Sequence, residues 1–111
     1  NFEVEKVELR SIFNNGIMQG AIIYIDNYGN AISNITKKEF NKYNKGDSFA
    51  ILFGRENDRI TKISSKYKDV PVSEKLAIFG ESNLLQIAIN QGMSSKLLGL
   101  RLHDIIRIEF L

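Results

Sequence analysis

The chain reads as a string of short apolar segments, each followed by a turn signal, and that pattern confines it to an all-β architecture. Residues 2–9 carry apolar side chains at Phe2, Val4, Val7 and Leu9, as in a half-buried strand with an irregularity near Lys6. Residues 17–25 make a longer, more apolar strand. It ends in Asp26-Asn27-Tyr28-Gly29-Asn30, a run of residues that tolerate turn geometry. Residues 30–35 form the return strand, so 17–35 is expected to be a hairpin with a five-residue loop. A second hairpin is expected from 48–53 and 59–63 around Gly54-Arg55-Glu56-Asn57-Asp58. Residues 75–79, 84–90 and 105–110 complete the strands, the last alternating at Ile106, Ile108 and Phe110.

Two short helices interrupt this series. Thr36-Lys37-Lys38-Glu39 has the capping-box pattern, with Thr36 as N-cap and Glu39 reaching back, and the helix runs to about Tyr43 before Asn44-Lys45-Gly46. Residues 94–98, with Gly99 behind them, read as a single helical turn. No βαβ spacing, repeat or internal linker is present. The expected fold is an antiparallel, Greek-key-like β-barrel of about seven strands with two short helices, one domain over residues 1–111.

Composition narrows the chemistry. Fifteen basic and 13 acidic side chains leave a net charge of +2, which is neither a nucleic-acid footprint nor an acidic tail. The absence of Cys excludes a disulfide framework, a thiolate zinc site and a thiol nucleophile. A single His excludes a His-rich metal centre, and no metal site is expected. No apolar run has the length of a membrane span and no signal peptide is recognisable, so the cytoplasm is the expected compartment. The chain begins at Asn1 rather than Met, which points to processing, trimming or excision from something longer.

Phosphate loops, nucleophile elbows and zinc-protease motifs are all missing. His103-Asp104 has the residue types for half of a triad, but a turn leading into the last strand is the commoner role. Glu3, Glu5 and Glu8 have the chemistry for acid–base work, yet a solvated strand edge is the expected role. Four Lys between 37 and 45 interleave with Phe40 and Tyr43, which fits nucleic-acid contact but also a solvent-facing helix with its rings in the core.

Two segments stand out. One is Ile25-Asp26-Asn27-Tyr28-Gly29-Asn30-Ala31-Ile32-Ser33-Asn34-Ile35. The other is Gly80-Glu81-Ser82-Asn83-Leu84-Leu85-Gln86-Ile87-Ala88-Ile89-Asn90, followed by Gln91-Gly92, and Tyr67-Lys68-Asp69 lies between them. In order and spacing these resemble the C-terminal domain of the S-adenosyl-L-methionine hydroxide adenosyltransferases, relatives of the fluorinase and chlorinase enzymes. That family shows I-D-x-F-G-N-x-x-T-N-I, then an aromatic-x-Asp element, then G-S-x-G-x-L-E-I-A-x-N. This chain has Tyr28 for Phe, Ser33 for Thr, Glu81 for Ser, Asn83 for Gly and Gln86 for Glu.

The resemblance implies an adenosyl-sulfonium pocket at a subunit interface, with the catalytic groups on a separate N-terminal α/β domain of the same or a neighbouring subunit. It implies a homotrimeric enzyme that displaces L-methionine from S-adenosylmethionine with water or hydroxide, giving adenosine. S-adenosylmethionine is then the substrate and no cofactor is expected. No catalytic residue falls on this chain, which alone is expected to be inactive.

By position, Asn30 and the main chain of Asn90 and Gln91 hold the adenine edge, and Tyr28 or Tyr67 covers the ring. Glu81, Ser82 and Asn83 line the methionine side. A carboxamide offers the donor and acceptor that match adenine N6 and N7. Stacking on a ring is worth about 1–3 kcal/mol per base in nucleic-acid systems. Asn83 tolerates the left-handed backbone of the Gly it replaces better than most residues do. Two alternatives remain at this point: a small barrel that binds single-stranded nucleic acid through Tyr28, Phe40, Tyr43 and Tyr67, or a purely structural oligomerisation domain.

Overall fold

Asn15 and Gly16 turn the chain with φ of 54° and 79°, the geometry that an Asn-Gly pair adopts in a type I′ hairpin. They join strand β1 (Ile12–Asn14) to β2 (Ile17–Ile25), with Asn14 opposite Ile17. The computed structural model describes residues 11–46, 48–54 and 58–111. The expected strand over residues 2–9, with Glu3, Glu5 and Glu8, lies outside the described residues, as does the 55–57 tip of the second expected hairpin.

β2 changes partner halfway along. Its first half pairs with β1, and its second half pairs with β3 (Ala31–Thr36) on the same edge. At the changeover the Ala21 amide donates to the Asn34 side-chain oxygen at 3.0 Å. Gly20 makes this approach feasible, because a Cβ there would stand 2.5 Å from that oxygen. A buried amide with no strand partner costs about 1–3 kcal/mol, so Asn34 of the first motif serves the barrel wall.

Thr36 caps helix α1 (Lys37–Tyr43), and the Glu39 carboxylate reaches back to the Thr36 amide, the reciprocal box expected from the sequence. The helix lays Phe40 into the core edge-on to Phe49, with ring centroids 5.1 Å apart, and Tyr43 stacks on Phe13 at 3.7 Å. Phe40 is thus buried, whereas Tyr43 is half-buried against the edge of the core, with Lys42 Nζ 5.3 Å from its ring centre.

β4 (Phe49–Phe53) and β5 (Asp58–Ile60) pair as expected. The chain then departs from a simple hairpin. Instead of one strand over 59–63, the exposed Thr61 and Lys62 separate β5 from β6 (Ile63–Ser64), which pairs in parallel with β7 (Lys75–Phe79). All other strand pairs among the described residues are antiparallel. A parallel pair needs a crossover rather than a tight turn, and residues 65–74 supply it, including a 3-10 turn at Tyr67–Asp69.

β8 (Leu84–Ile89) follows β7, then helix α2 (Ser94–Leu97), then β9 (Ile105–Phe110). The strand order is β5-β4-β9-β2-β3-β8-β7-β6, so the last strand is inserted between β4 and β2 in Greek-key fashion. β5 returns against β7 and nearly closes a barrel. Met18, Ile22, Ile35, Ile51, Leu85, Ile87, Ile106 and Ile108 fill the interior with no solvent exposure, each contributing about 1.5–3 kcal/mol by burial. Among the described residues no helix is long and apolar enough to cross a membrane.

Candidate functional site

The loop leaving β2 is organised by one carboxylate. Asp26 Oδ1 accepts the amides of Tyr28 and Asn30, each at 2.9 Å, while its Oδ2 accepts the Asn30 side-chain amide at 3.2 Å. Asp side chains favour such local turns because they can accept from amides a few residues ahead. Gly29 sits at φ +81°, and a Cβ on it would lie 2.7 Å from the Met93 Cβ. Its carbonyl accepts the Ser95 amide at 2.8 Å, pinning the loop to the start of α2. Asn30 is thereby buried to 5 % exposure, while the Tyr28 ring stands 77 % exposed.

The crossover 65–74 forms the facing wall. Asn30 Nδ2 donates to the Tyr67 hydroxyl oxygen at 3.1 Å. Partial burial, and then the Asp26 negative charge, push the Tyr67 phenol above its ordinary value near 10; the hydrogen bond from Asn30 opposes them in part. Asp69 accepts the Ser65 and Lys66 amides at 2.8 and 3.1 Å. These bonds, with the Lys66 and Lys62 charges adding, hold its carboxyl below the usual range. At the end of β8, Asn90 ties the crossover down. Its side chain donates to the Val70 carbonyl at 2.8 Å, its amide to the Glu74 carbonyl, and its own carbonyl accepts the Ser73 amide.

β8 links these parts by alternation. Leu85 and Ile87 face the core, so Gln86 between them faces outward. On that outer side an open cleft of about 1030 Å³ runs from the Gly80–Ser82 turn to the Asn90–Met93 turn. The lining includes Tyr28, Asn30 and Tyr67, with Glu81 and Ser82 at one end and Asn90 and Gln91 at the other. Seven of the eight residues expected from the sequence therefore border one cavity.

The eighth, Asn83, is not in the lining. It has φ of 62°, the left-handed backbone expected there, and its backbone carbonyl accepts the Lys37 amide at 2.8 Å. Asn90 borders the cleft but its one backbone N–H is engaged within the chain. The expectation of main-chain contact at this end therefore rests on Gln91, which has φ of 59°.

The other seven lining residues were not among the expected site residues, Asp26, Gln86 and Met93 being three of them. Asp26 stands four residues before Asn30, a spacing that signals the turn it builds. Gln86 Oε1 is buried without a hydrogen-bond partner, and the Gln86 amide nitrogen lies so close over Gly80 that no Cβ fits there. His103 and Asp104 lie away from the cleft: Asp104 accepts the Arg101 amide at 2.9 Å in the turn into β9. Among the described residues no group of three or more His, Cys, Asp or Glu side chains is arranged to hold a metal ion.

Fold and cleft together define a β-barrel domain with an open cleft on its wall, bordered by carboxamide and tyrosine side chains. The chain belongs to the family of the SAM hydroxide adenosyltransferase C-terminal domain, which matches residues 20–107. It is similar to an uncharacterized conserved protein from Thermotoga maritima, with a TM-score of 0.75, 25 % identity, and coverage of 89 % of this chain and 38 % of that one. A conserved hypothetical protein from Thermus thermophilus shares the fold, with a TM-score of 0.65, 24 % identity, and coverage of 81 % and 34 %. The chain thus spans little more than a third of either relative. No curated protein matches it.

Proposed function

We propose that this chain is the substrate-binding, adenine-recognising domain of an enzyme that hydrolyses S-adenosylmethionine to adenosine and L-methionine. The observation that carries the reading is the convergence on one cleft of a buried carboxamide, Asn30, and two exposed rings, Tyr28 and Tyr67, in a member of this family. The cleft volume of about 1030 Å³ matches the upper end of ligand pockets, about 300–1,000 Å³.

In the proposed reaction a water oxygen attacks the 5′ carbon of the substrate. The C5′–S bond breaks, its electron pair stays on sulfur, methionine leaves as a neutral thioether, and the water proton passes to solvent or a base. A sulfonium is already a good leaving group, so the step depends on alignment and exclusion of bulk water more than on strong acid–base help. This chain's part is to hold the nucleoside. The Asn30 carboxamide meets the base edge and a tyrosine ring covers its face, while Glu81 offers a carboxylate to the substrate ammonium. The groups that align the nucleophile belong to an N-terminal α/β domain of the same or a neighbouring subunit, in a cytoplasmic homotrimer.

The test is product analysis with the intact protein. Adenosine and methionine should form in equal amounts from S-adenosylmethionine, and the 111-residue chain alone should give none. Adenosine binding that hardly changes with salt supports the nucleoside reading. A steep fall with salt would point to nucleic acid instead, and lack of both turnover and adenosine binding sinks the proposal.

A further inference from the structure

The hydrogen bonds around Asn30 dictate which way its carboxamide faces. Both amide protons have acceptors inside the protein, Asp26 Oδ2 at 3.2 Å and the Tyr67 oxygen at 3.1 Å. Oδ1 takes no hydrogen bond from the described residues, yet it is not among the buried unpaired oxygens, which are those of Asn44 and Gln86. By elimination it keeps an accessible surface, and Asn30 lines the cleft. Turning the carboxamide over would set Oδ1 against the Asp26 carboxylate, which can only accept. That carboxylate is itself held by two backbone amides and cannot swing away without undoing the loop.

We infer that Asp26 and Tyr67 are positioning residues that lock Asn30 with its carbonyl toward the cleft, so that the site selects a purine bearing an amino group over one bearing a carbonyl at that place. An acceptor fixed in a buried site rewards a ligand N–H and is left facing a second acceptor when the ligand offers C=O. Neither Asp26 nor Tyr67 needs to touch the selected group; they act through Asn30. This deepens the nucleoside reading above and rests on it.

Adenosine and inosine make the cleanest pair of probes, because they share the sugar and differ at the amino or carbonyl position. Both are uncharged, so electrostatic attraction by Asp26 or Glu81 does not enter. Titrated into the intact protein, adenosine should bind at least about 10-fold more tightly than inosine. In Asp26→Asn the new side chain can donate as well as accept, so Asn30 is free to turn over. The adenosine-to-inosine ratio should collapse to within about 3-fold, mainly through tighter inosine binding.

Tyr67→Phe removes one anchor while keeping the ring, and should lower the ratio by a smaller factor. It also decides the matter if Asp26→Asn disturbs the loop too far to fold. A merely structural role for these residues would weaken both nucleosides alike and leave the ratio where it was. An unchanged ratio in the variants that fold overturns the inference, as does equal binding of both nucleosides by the unaltered protein, which leaves the nucleoside reading standing. Binding of neither removes the reading and the inference together.

Discussion

The two turns that border the cleft are built on different principles. In the 26–30 loop, Asp26 and Asn30 have bonded within the protein before any ligand arrives, and Gly29 is pressed against Met93. In the 80–83 turn, Glu81, Ser82 and Asn83 are exposed, and the turn is held by backbone bonds: Asn83 to Gly80, Gly80 to Leu84, and Lys37 to Asn83. A turn of the first kind is preorganised, and it discriminates because its groups cannot adapt. The second presents solvated side chains that can rearrange around whatever meets them. Under the proposed nucleoside reading, the difference assigns selectivity to the Asn30 end and tolerance to the Glu81 end.

The largest effect expected is from Asn30→Ala. It removes the ligand's acceptor and leaves Asp26 and Tyr67 without their shared donor. Adenosine affinity of the intact protein should fall about 100-fold, roughly 2.7 kcal/mol; calorimetric titration that finds less than about 5-fold would erase the contrast between the turns. Gly29→Ala attacks the same loop through the backbone, combining a left-handed φ with a Cβ 2.7 Å from Met93. It should cost about 1–3 kcal/mol of stability by denaturant unfolding.

A third prediction concerns pH. The Tyr67 phenol holds its proton above the ordinary value near 10. Its contribution to stability is therefore full below pH 10 and is lost as pH rises through the raised value. An ultraviolet difference titration of the protein against Tyr67→Phe should show a late-ionising tyrosine; ionisation at or below 10 contradicts its placement beside Asp26. The smallest effects belong to the other turn. Glu81→Gln and Ser82→Ala should each change stability by less than about 0.5 kcal/mol and leave adenosine affinity within about 2-fold. Only Glu81→Gln should weaken S-adenosylmethionine binding, through the ammonium.

What could be read in advance follows the range of the interactions. The β2–β3 hairpin, the Thr36–Glu39 box and the 75–79 and 105–110 strands are local, and their side chains announce them. Strand β1 was not expected: Asn15-Gly16 is a hairpin signal, but three residues carry too little alternation to register as a strand. The parallel β6–β7 pair left no trace, because two residues have no periodicity and their partner lies beyond a crossover. That most of the expected residues would lie together was legible through motif spacing, and seven of the eight border the cleft. Their division of labour was not, because Asn34 and Asn90 differ from Asn30 only in what the distant chain brings to them. Asn34 completes a strand edge, Asn90 fastens the crossover, and Asn30 ties the 26–30 loop to Tyr67.

The parallel pair has an evolutionary consequence. Its ten-residue connection, 65–74, is demanded by topology, and it lies on the surface with no side chain in the interior. Yet it supplies Tyr67 to the cleft. Substitutions along this strap can therefore redraw the ligand wall without passing through the barrel's interior. That separates the part of the gene that must conserve a fold from the part that is free to explore new chemistry.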